Sequence, residues 1–320
     1  MAELDRLLRE SGLKRRSPQQ LKPSSCCDDL PKLLETEHKS IMSAEQHRLA
    51  NCHNHSWRER VSQWSYDVID LLEAPRETVY VSMNILDRYV STIRVGGEEL
   101  SSDEYRLAAI ASLFIAVRLS SGSLQLKMQR LLYISQSGIL LEDAHSTVTK
   151  ILKTLSLDSP VLTPSAFIRA LLGPLQDTTT FDKDAMMTIM EHAFYLAELS
   201  VCDQHFCGVS PSKIAFASVI LSLHNSAEVP PSSSCSVVDQ STCLFVLDTI
   251  RKQTGMDHTS HDIQSLCSHL QATYGQSYDN EFCKKKKIVS SSSSSSSPPL
   301  VAIVESYDSD GNINDTQHHH

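Results

Sequence analysis

Chemistry in this sequence would have to start from its cysteines and histidines. Cys52-His53-x-His55 and Cys202-x2-His205-x-Cys207 each bring nitrogen and sulfur donors close together, as a zinc site requires. Neither has a second pair at finger spacing, so both read as incidental residues on helices and loops. Cys26-Cys27 reads the same way. The 14 histidines are scattered, and Ser-His-Asp or Cys-His pairings among them arise by chance. No Gly-rich loop is present to cradle a phosphate, and Gly96-Gly97 is simply a turn. The expectation is therefore a chain with no catalytic residues, no metal and no cofactor.

Bulk charge narrows what it binds. A net charge of −9 with 21% charged residues describes a mildly acidic protein, whereas a dedicated nucleic-acid binder usually carries a basic surplus. No nucleic-acid or membrane partner is expected. The nine cysteines form no disulfide framework, and the first residues, MAELDRLLRESGLKRRS, interrupt every apolar run with charge. Together these point to reduced thiols in a nuclear or cytosolic setting. Two basic clusters stand out. Lys14-Arg15-Arg16 precedes Ser17-Pro18, a pattern that fits a proline-directed phosphorylation site. Lys284 to Lys287 is the better nuclear-import candidate, which tips the expected location slightly toward the nucleus.

The elements that would position a binding surface are helices. Leu107 to Val117 carries no charge, and almost every residue in it is apolar or small. A helix apolar all round must be buried on all sides, yet this run is too short to span a bilayer, so it should be a central rod. Ser101 and Glu104 in front of it form a capping box, and Arg118 places a cation in its last turn. Upstream, Trp57, Val61, Trp64, Val68, Leu71 and Leu72 fall on one helical face, and Val79, Met83, Leu86 and Val90 repeat the spacing. Pro75 separates the two and opens the second. Leu124 to Tyr133 can hold a short helix. Leu141, Ala144, Val148, Ile151 and Leu155 mark a fifth.

A second set follows in the same order. Ala166 to Leu172 is short and apolar, stopped by Gly173-Pro174. Phe181 to Val201 is amphipathic, with Met187, Met190, Phe194 and Ala197 on one side. Pro211 opens a second apolar rod, Ile214 to Leu223, and Val237 to Lys252 and Ile263 to Tyr274 complete the set. No strand pattern interrupts. The expected fold is all-α, built from two five-helix repeats of about 100 residues each. Its expected divisions are a flexible N-terminal tail at 1–41, repeats at 42–158 and 159–277, and a disordered Lys/Ser-rich tail at 278–320 that lacks the apolar residues to fold.

Arg58-x5-Trp64, then LDRYVS from Leu86 to Ser91, then LAAIASLFIAVRL from Leu107, together resemble the cyclin box. LAELSVCDQHF followed by GVSPSKIAFASVIL resembles the cyclin C-terminal repeat. The chain is thus similar to A/B-type two-repeat cyclins over roughly residues 42 to 275. That resemblance implies a regulatory subunit, not an enzyme, which binds and activates a cyclin-dependent protein kinase in cell-cycle control, with kinase substrates or inhibitors as further partners. Arg58 and Asp87 would form the family's structural ion pair between the first two helices. Arg118 would stand for the kinase-contacting lysine, flanked by Ile115 and Leu119, with Leu152 lining the same groove. Trp57, Val61 and Trp64 would mark the substrate-docking patch. Two departures are visible: Ser120-Ser121-Gly122 replaces the family's acidic pair after Leu119, and Thr147 and Val148 stand where a fifth-helix glutamate is usual. They suggest an alternative, a cyclin-fold adaptor without kinase activation. A B-family general transcription factor shares the paired repeats, but it would call for a basic surface and a zinc ribbon; this chain has a pI of about 5.8 and no ribbon.

Overall fold

The computed structural model describes residues 30–40, 55–120, 126–155, 161–176, 183–227 and 240–288. Among these, eleven α-helices and one 3-10 turn account for the secondary structure, with no strands. No described helix is long and apolar enough to cross a membrane. The helices gather into two compact units.

The first unit contains α2 (His55–Leu71), α3 (Glu77–Val95), α4 (Ser102–Ser120), α5 (Met128–Ser135) and α6 (Leu141–Thr154). α4 is its axis: α3, α5 and α6 all pack on it. Every residue from Ala108 to Val117 is buried, as an uncharged all-apolar face demands. Its start is held as the spacing predicts. The Ser101 backbone N–H and hydroxyl both donate to Glu104 Oε2 at 2.9 and 2.8 Å, and the Glu104 N–H donates back to Ser101 Oγ at 3.3 Å. These bonds hold the Glu104 carboxyl below its usual range. Four positions fall among the buried residues of α3 as expected: Val79, Met83, Leu86 and Val90.

Two details of this unit depart from expectation. Pro75 lies before α3 rather than inside it: its carbonyl accepts the Thr78 N–H in a turn, and the helix starts at Glu77. On α2, Leu71 is 57% exposed, and the buried stripe is completed by Ile69 and Leu72 instead. A 3.6-residue period places both Leu71 and Leu72 near one face, and only packing chooses between them.

The second unit contains α1 (Leu30–Ser40), α7 (Pro164–Gln176), α8 (Lys183–Cys202), the 3-10 turn Gln204–Phe206, α9 (Pro211–Ala227), α10 (Gln240–Thr254) and α11 (His261–Ile288). α9 is the counterpart of α4, with α7, α8, α10, α11 and α1 packed on it. Buried serines on this rod need internal partners, and they return their hydroxyls to the preceding turn: Ser218 to the Ile214 carbonyl at 2.9 Å and Ser222 to the Ser218 carbonyl at 2.8 Å.

Four expectations are corrected here. The tail expected over 1–41 includes α1, because Leu30, Leu33 and Leu34 fall at i, i+3 and i+4 and pack into the core of this unit. α7 does not stop at Gly173-Pro174; it continues to Gln176 with Pro174 inside, and Leu175, buried in the core, holds the last turn on the fold. On α8 the inward face is Met186, Ile189, Ala193, Leu196 and Ala197, while Met187 is 56% exposed. The tail expected from 278 is corrected over its first residues, since α11 runs through Lys284–Lys287 to Ile288. The remainder of both expected tails lies outside the described residues.

Candidate functional site

Arg58 on α2 and Asp87 on α3 are brought together. Arg58 Nε donates to Asp87 Oδ1 at 3.1 Å and Nη2 to Oδ2 at 2.9 Å, a fork matched to both carboxylate oxygens. Both side chains are largely buried, so the pair ties α2 to α3 in a setting where neither charge has water to fall back on.

The four residues expected at a kinase-facing groove separate into two kinds. Arg118 and Leu119, at the C-terminal end of α4, are half-exposed and can meet a partner. Ile115 and Leu152 are 1% and 7% exposed. α4 is buried from Ala108 to Val117, and its C-terminal end emerges at Arg118 to Ser120. Ile115 and Leu152 thus pack in the core of the unit that carries Arg118 and Leu119. Thr147 and Val148 on α6 are buried as well, at 7% and 0%.

Of the docking patch expected at Trp57, Val61 and Trp64, Trp57 is half-buried and the other two are buried. Val61 and Trp64 are each 1% exposed, and Trp57 leans on Tyr105 with ring centroids 5.7 Å apart. Their helical spacing is the signature of a core stripe, and the core uses it.

What the unit does expose is apolar surface that periodicity does not flag. Tyr133, on α5, is 84% exposed, and Leu140, which precedes α6, is 68% exposed. The helices that carry or follow them, α5 and α6, are both packed on α4. Side chains of this size left in water are candidate contact residues.

The Cys202-x2-His205-x-Cys207 segment is used structurally. Asp203 Oδ1 accepts the His205 N–H at 2.8 Å, capping the 3-10 turn, while Oδ2 meets His269 Nε2 at 2.9 Å and accepts from Thr273 Oγ1 at 3.0 Å. The His205 and His269 rings stack at 3.8 Å. This set fastens α11 to the turn after α8. Burial, and then the charge of His269, hold the His205 imidazole below its usual range. Cys207 is buried beside it. Among the described residues, no group of three or more His, Cys, Asp or Glu side chains is assembled to hold a metal ion. Cys26, Cys27, Cys52 and His53 lie outside the described residues, as does the side chain of His55.

One site has no counterpart in the motifs. Glu37 on α1, 5% exposed, points at the first turn of α9. Its Oε1 accepts the Ser212 N–H at 2.7 Å and its Oε2 accepts from Ser212 Oγ at 2.6 Å. A carboxylate at a helix N-terminus meets free N–H groups and the positive end of the dipole. Burial nonetheless dominates and raises the Glu37 carboxyl above the ordinary glutamate range, against the two Ser212 bonds and the charge of Lys213. A raised acid favours the folded state most when protonated. Its contribution is full below about pH 4.5 and is lost as pH rises through the folded value. The Leu30-x2-Leu33-Leu34-x2-Glu37 spacing is the signal in the sequence that points to this contact.

Comparison with known proteins places the two units. The cyclin N-terminal domain model matches residues 30–158 and the cyclin C-terminal domain model residues 162–300. Cyclin-A1-3 of Oryza sativa subsp. japonica is 23% identical over 168 residues, 52% of this chain and 32% of that protein. Cyclin-A1-1 of Arabidopsis thaliana is 23% identical over 203 residues, covering 63% of this chain and 42% of that protein. G1/S-specific cyclin-D1 of Mus musculus is 23% identical over 168 residues, covering 52% and 54%. The chain thus spans between a third and about half of the length of these relatives. A solved CAK complex of Chaetomium thermophilum bound to ATP-gamma-S aligns over 99% of the chain at a TM-score of 0.45 and 12% identity, a likeness that carries no argument. With both repeats matched in order, and the buried rods, the Arg58–Asp87 tie and the capping box in place, this chain belongs to the cyclin family.

Proposed function

We propose that this chain is a regulatory subunit, itself without enzymatic activity, that binds and activates a cyclin-dependent protein kinase in cell-cycle control. The observation that carries this reading is the tandem match of both cyclin domains to the chain. The contact surface would be the emergent end of α4, Arg118 and Leu119, joined by the exposed Tyr133 and Leu140. Ile115 and Leu152 would stiffen it from behind. A rigid apolar surface with a fixed cation is suited to hold a kinase's regulatory helix in its active position. Binding that state better than the inactive one shifts the population toward activity. Arg118 would supply hydrogen bonds to kinase backbone carbonyls through its planar fork. Lys284–Lys287 would act as a nuclear-import signal, and kinase substrates or inhibitors would be further partners.

The test is co-expression with candidate cyclin-dependent kinases, followed by pulldown at mild salt and a histone-type phosphorylation assay. A kinase that co-purifies and gains activity supports the reading. Arg118→Glu should weaken the complex at least tenfold, and unchanged affinity would remove Arg118 from the interface.

A second reading, an adaptor that binds a kinase without activating it, has its own support. Thr147 and Val148 are buried and uncharged where the family usually places a glutamate, so α6 offers no acidic partner to Arg118 at those positions. Stable co-purification without gain of kinase activity would favour it.

A further inference from the structure

α9 is entered through Ser210-Pro211-Ser212-Lys213, with Ser210 just before the helix: a serine followed by proline and then, at the third position, by a cation. Proline at that place has no N–H to offer, a feature that only proline-directed kinases accommodate. Ser210 is half-exposed. It is also the residue whose carbonyl accepts the Lys213 and Ile214 N–H groups at 3.0 and 3.1 Å, so it sits at the cap of the helix. Two residues on, the Ser212 N–H and hydroxyl are held by the buried Glu37 of α1. The first turn of α9 is thus shared between a modifiable serine and a carboxylate belonging to a different helix.

These two uses exclude one another. A kinase takes its substrate extended, so Ser210 to Lys213 must leave the helical turn to be phosphorylated. That turn is closed while Glu37 holds Ser212. Once phosphate is present, a charge of nearly −2 lies within one turn of the buried carboxylate and competes with it for the same N–H groups and for Lys213. Lys213 is part-exposed, in a 3.7 Å contact with the exposed Asp262, and its charge already acts on Glu37. We propose that Ser210 is a phosphorylation site for a proline-directed protein kinase, reached when α1 undocks, and that phosphate there keeps α1 from redocking. In the transfer, Ser210 Oγ attacks the γ-phosphorus of Mg-ATP. The Oγ–P bond forms as the bond from that phosphorus to the ADP oxygen breaks, and the hydroxyl proton leaves through the kinase's base.

The experiment incubates the full chain with a purified proline-directed kinase and Mg-ATP, and maps phosphate by mass spectrometry over time. Ser17-Pro18 and Ser297-Pro298 in the same chain serve as internal references. Phosphate should appear on Ser210. Its rate relative to the references should rise about tenfold in Glu37→Ala, and also in Leu33→Ala, which loosens α1 without disturbing the α9 N-terminus. Hydrogen exchange of residues 30–40 should quicken about tenfold in the phosphorylated chain and stay slow in kinase-treated Ser210→Ala. The proposal is overturned if the references are labelled while Ser210 stays unmodified in both α1 variants. It is equally overturned if Ser210 is labelled with no change in exchange at 30–40.

Discussion

Arg58 shows how much a single residue commits the fold to. Its guanidinium is buried and meets both oxygens of Asp87, so removing it strands a carboxylate in the first unit's core. Breaking one side of such a pair typically costs about 3–5 kcal/mol, whereas replacing both partners with apolar residues of similar size is often near neutral. Arg58→Ala should therefore lower stability by about 3 kcal/mol in urea unfolding. Arg58→Met combined with Asp87→Leu should recover most of that loss. A single substitution costing less than about 1 kcal/mol would mean that the pair is not what joins α2 to α3. Glu37 is the opposite case at the same scale. Its pair of bonds to Ser212 does not offset its burial, so its carboxyl lies above the ordinary glutamate range.

At the scale of the element, α4 and α9 set the design of each unit. Both carry alanines and serines among larger apolar residues, so that neighbouring helices approach closely: Ala109, Ala111, Ser112 and Ala116 on α4, and Ala215, Ala217, Ser218 and Ser222 on α9, are at most 1% exposed. Interiors are packed to crystal density, and added volume forces neighbours off their rotamers. Ala111→Leu should cost roughly 2 kcal/mol or more, read as a fall in the urea midpoint at unchanged slope. A midpoint that does not move would show slack around the rod that its burial does not suggest. Periodicity located these rods because an uncharged run has only one tolerable environment. It did less well on α2 and α8, where two adjacent apolar residues compete for one face. Leu72 and Met186 won over Leu71 and Met187 through contacts that spacing cannot rank.

At the scale of the molecule, the chain is not divided where its sequence repeat divides. α1 precedes the first repeat in sequence, yet it packs with the second, against α7 and α9. Leu30 is buried there and Leu33 and Leu34 are partly so. Burying one leucine fully contributes roughly 1.5–3 kcal/mol. Deleting residues 1–41 should therefore destabilise the second repeat by about 3 kcal/mol, seen as faster hydrogen exchange in α7 and α9 and a lower melting temperature. Exchange in those helices that is indifferent to the deletion would show that α1 is dispensable.

The sequence alone determined the class of this protein and the order of its parts. Helical period, the two uncharged rods and the capping box at Ser101 and Glu104 are local patterns, legible because each depends on residues within a few turns; the Arg58–Asp87 pair, 29 residues apart, was implied only by the resemblance to the cyclin box. Tertiary structure decided what is exposed. Ile115, Leu152, Val61 and Trp64 carry the residue types of contact sites, but they are enclosed by helices distant in sequence. It also decided that Glu37 meets Ser212 across 175 residues. Exposure and long-range pairing are properties of what surrounds a side chain, and a period of 3.6 describes only the helix that carries it.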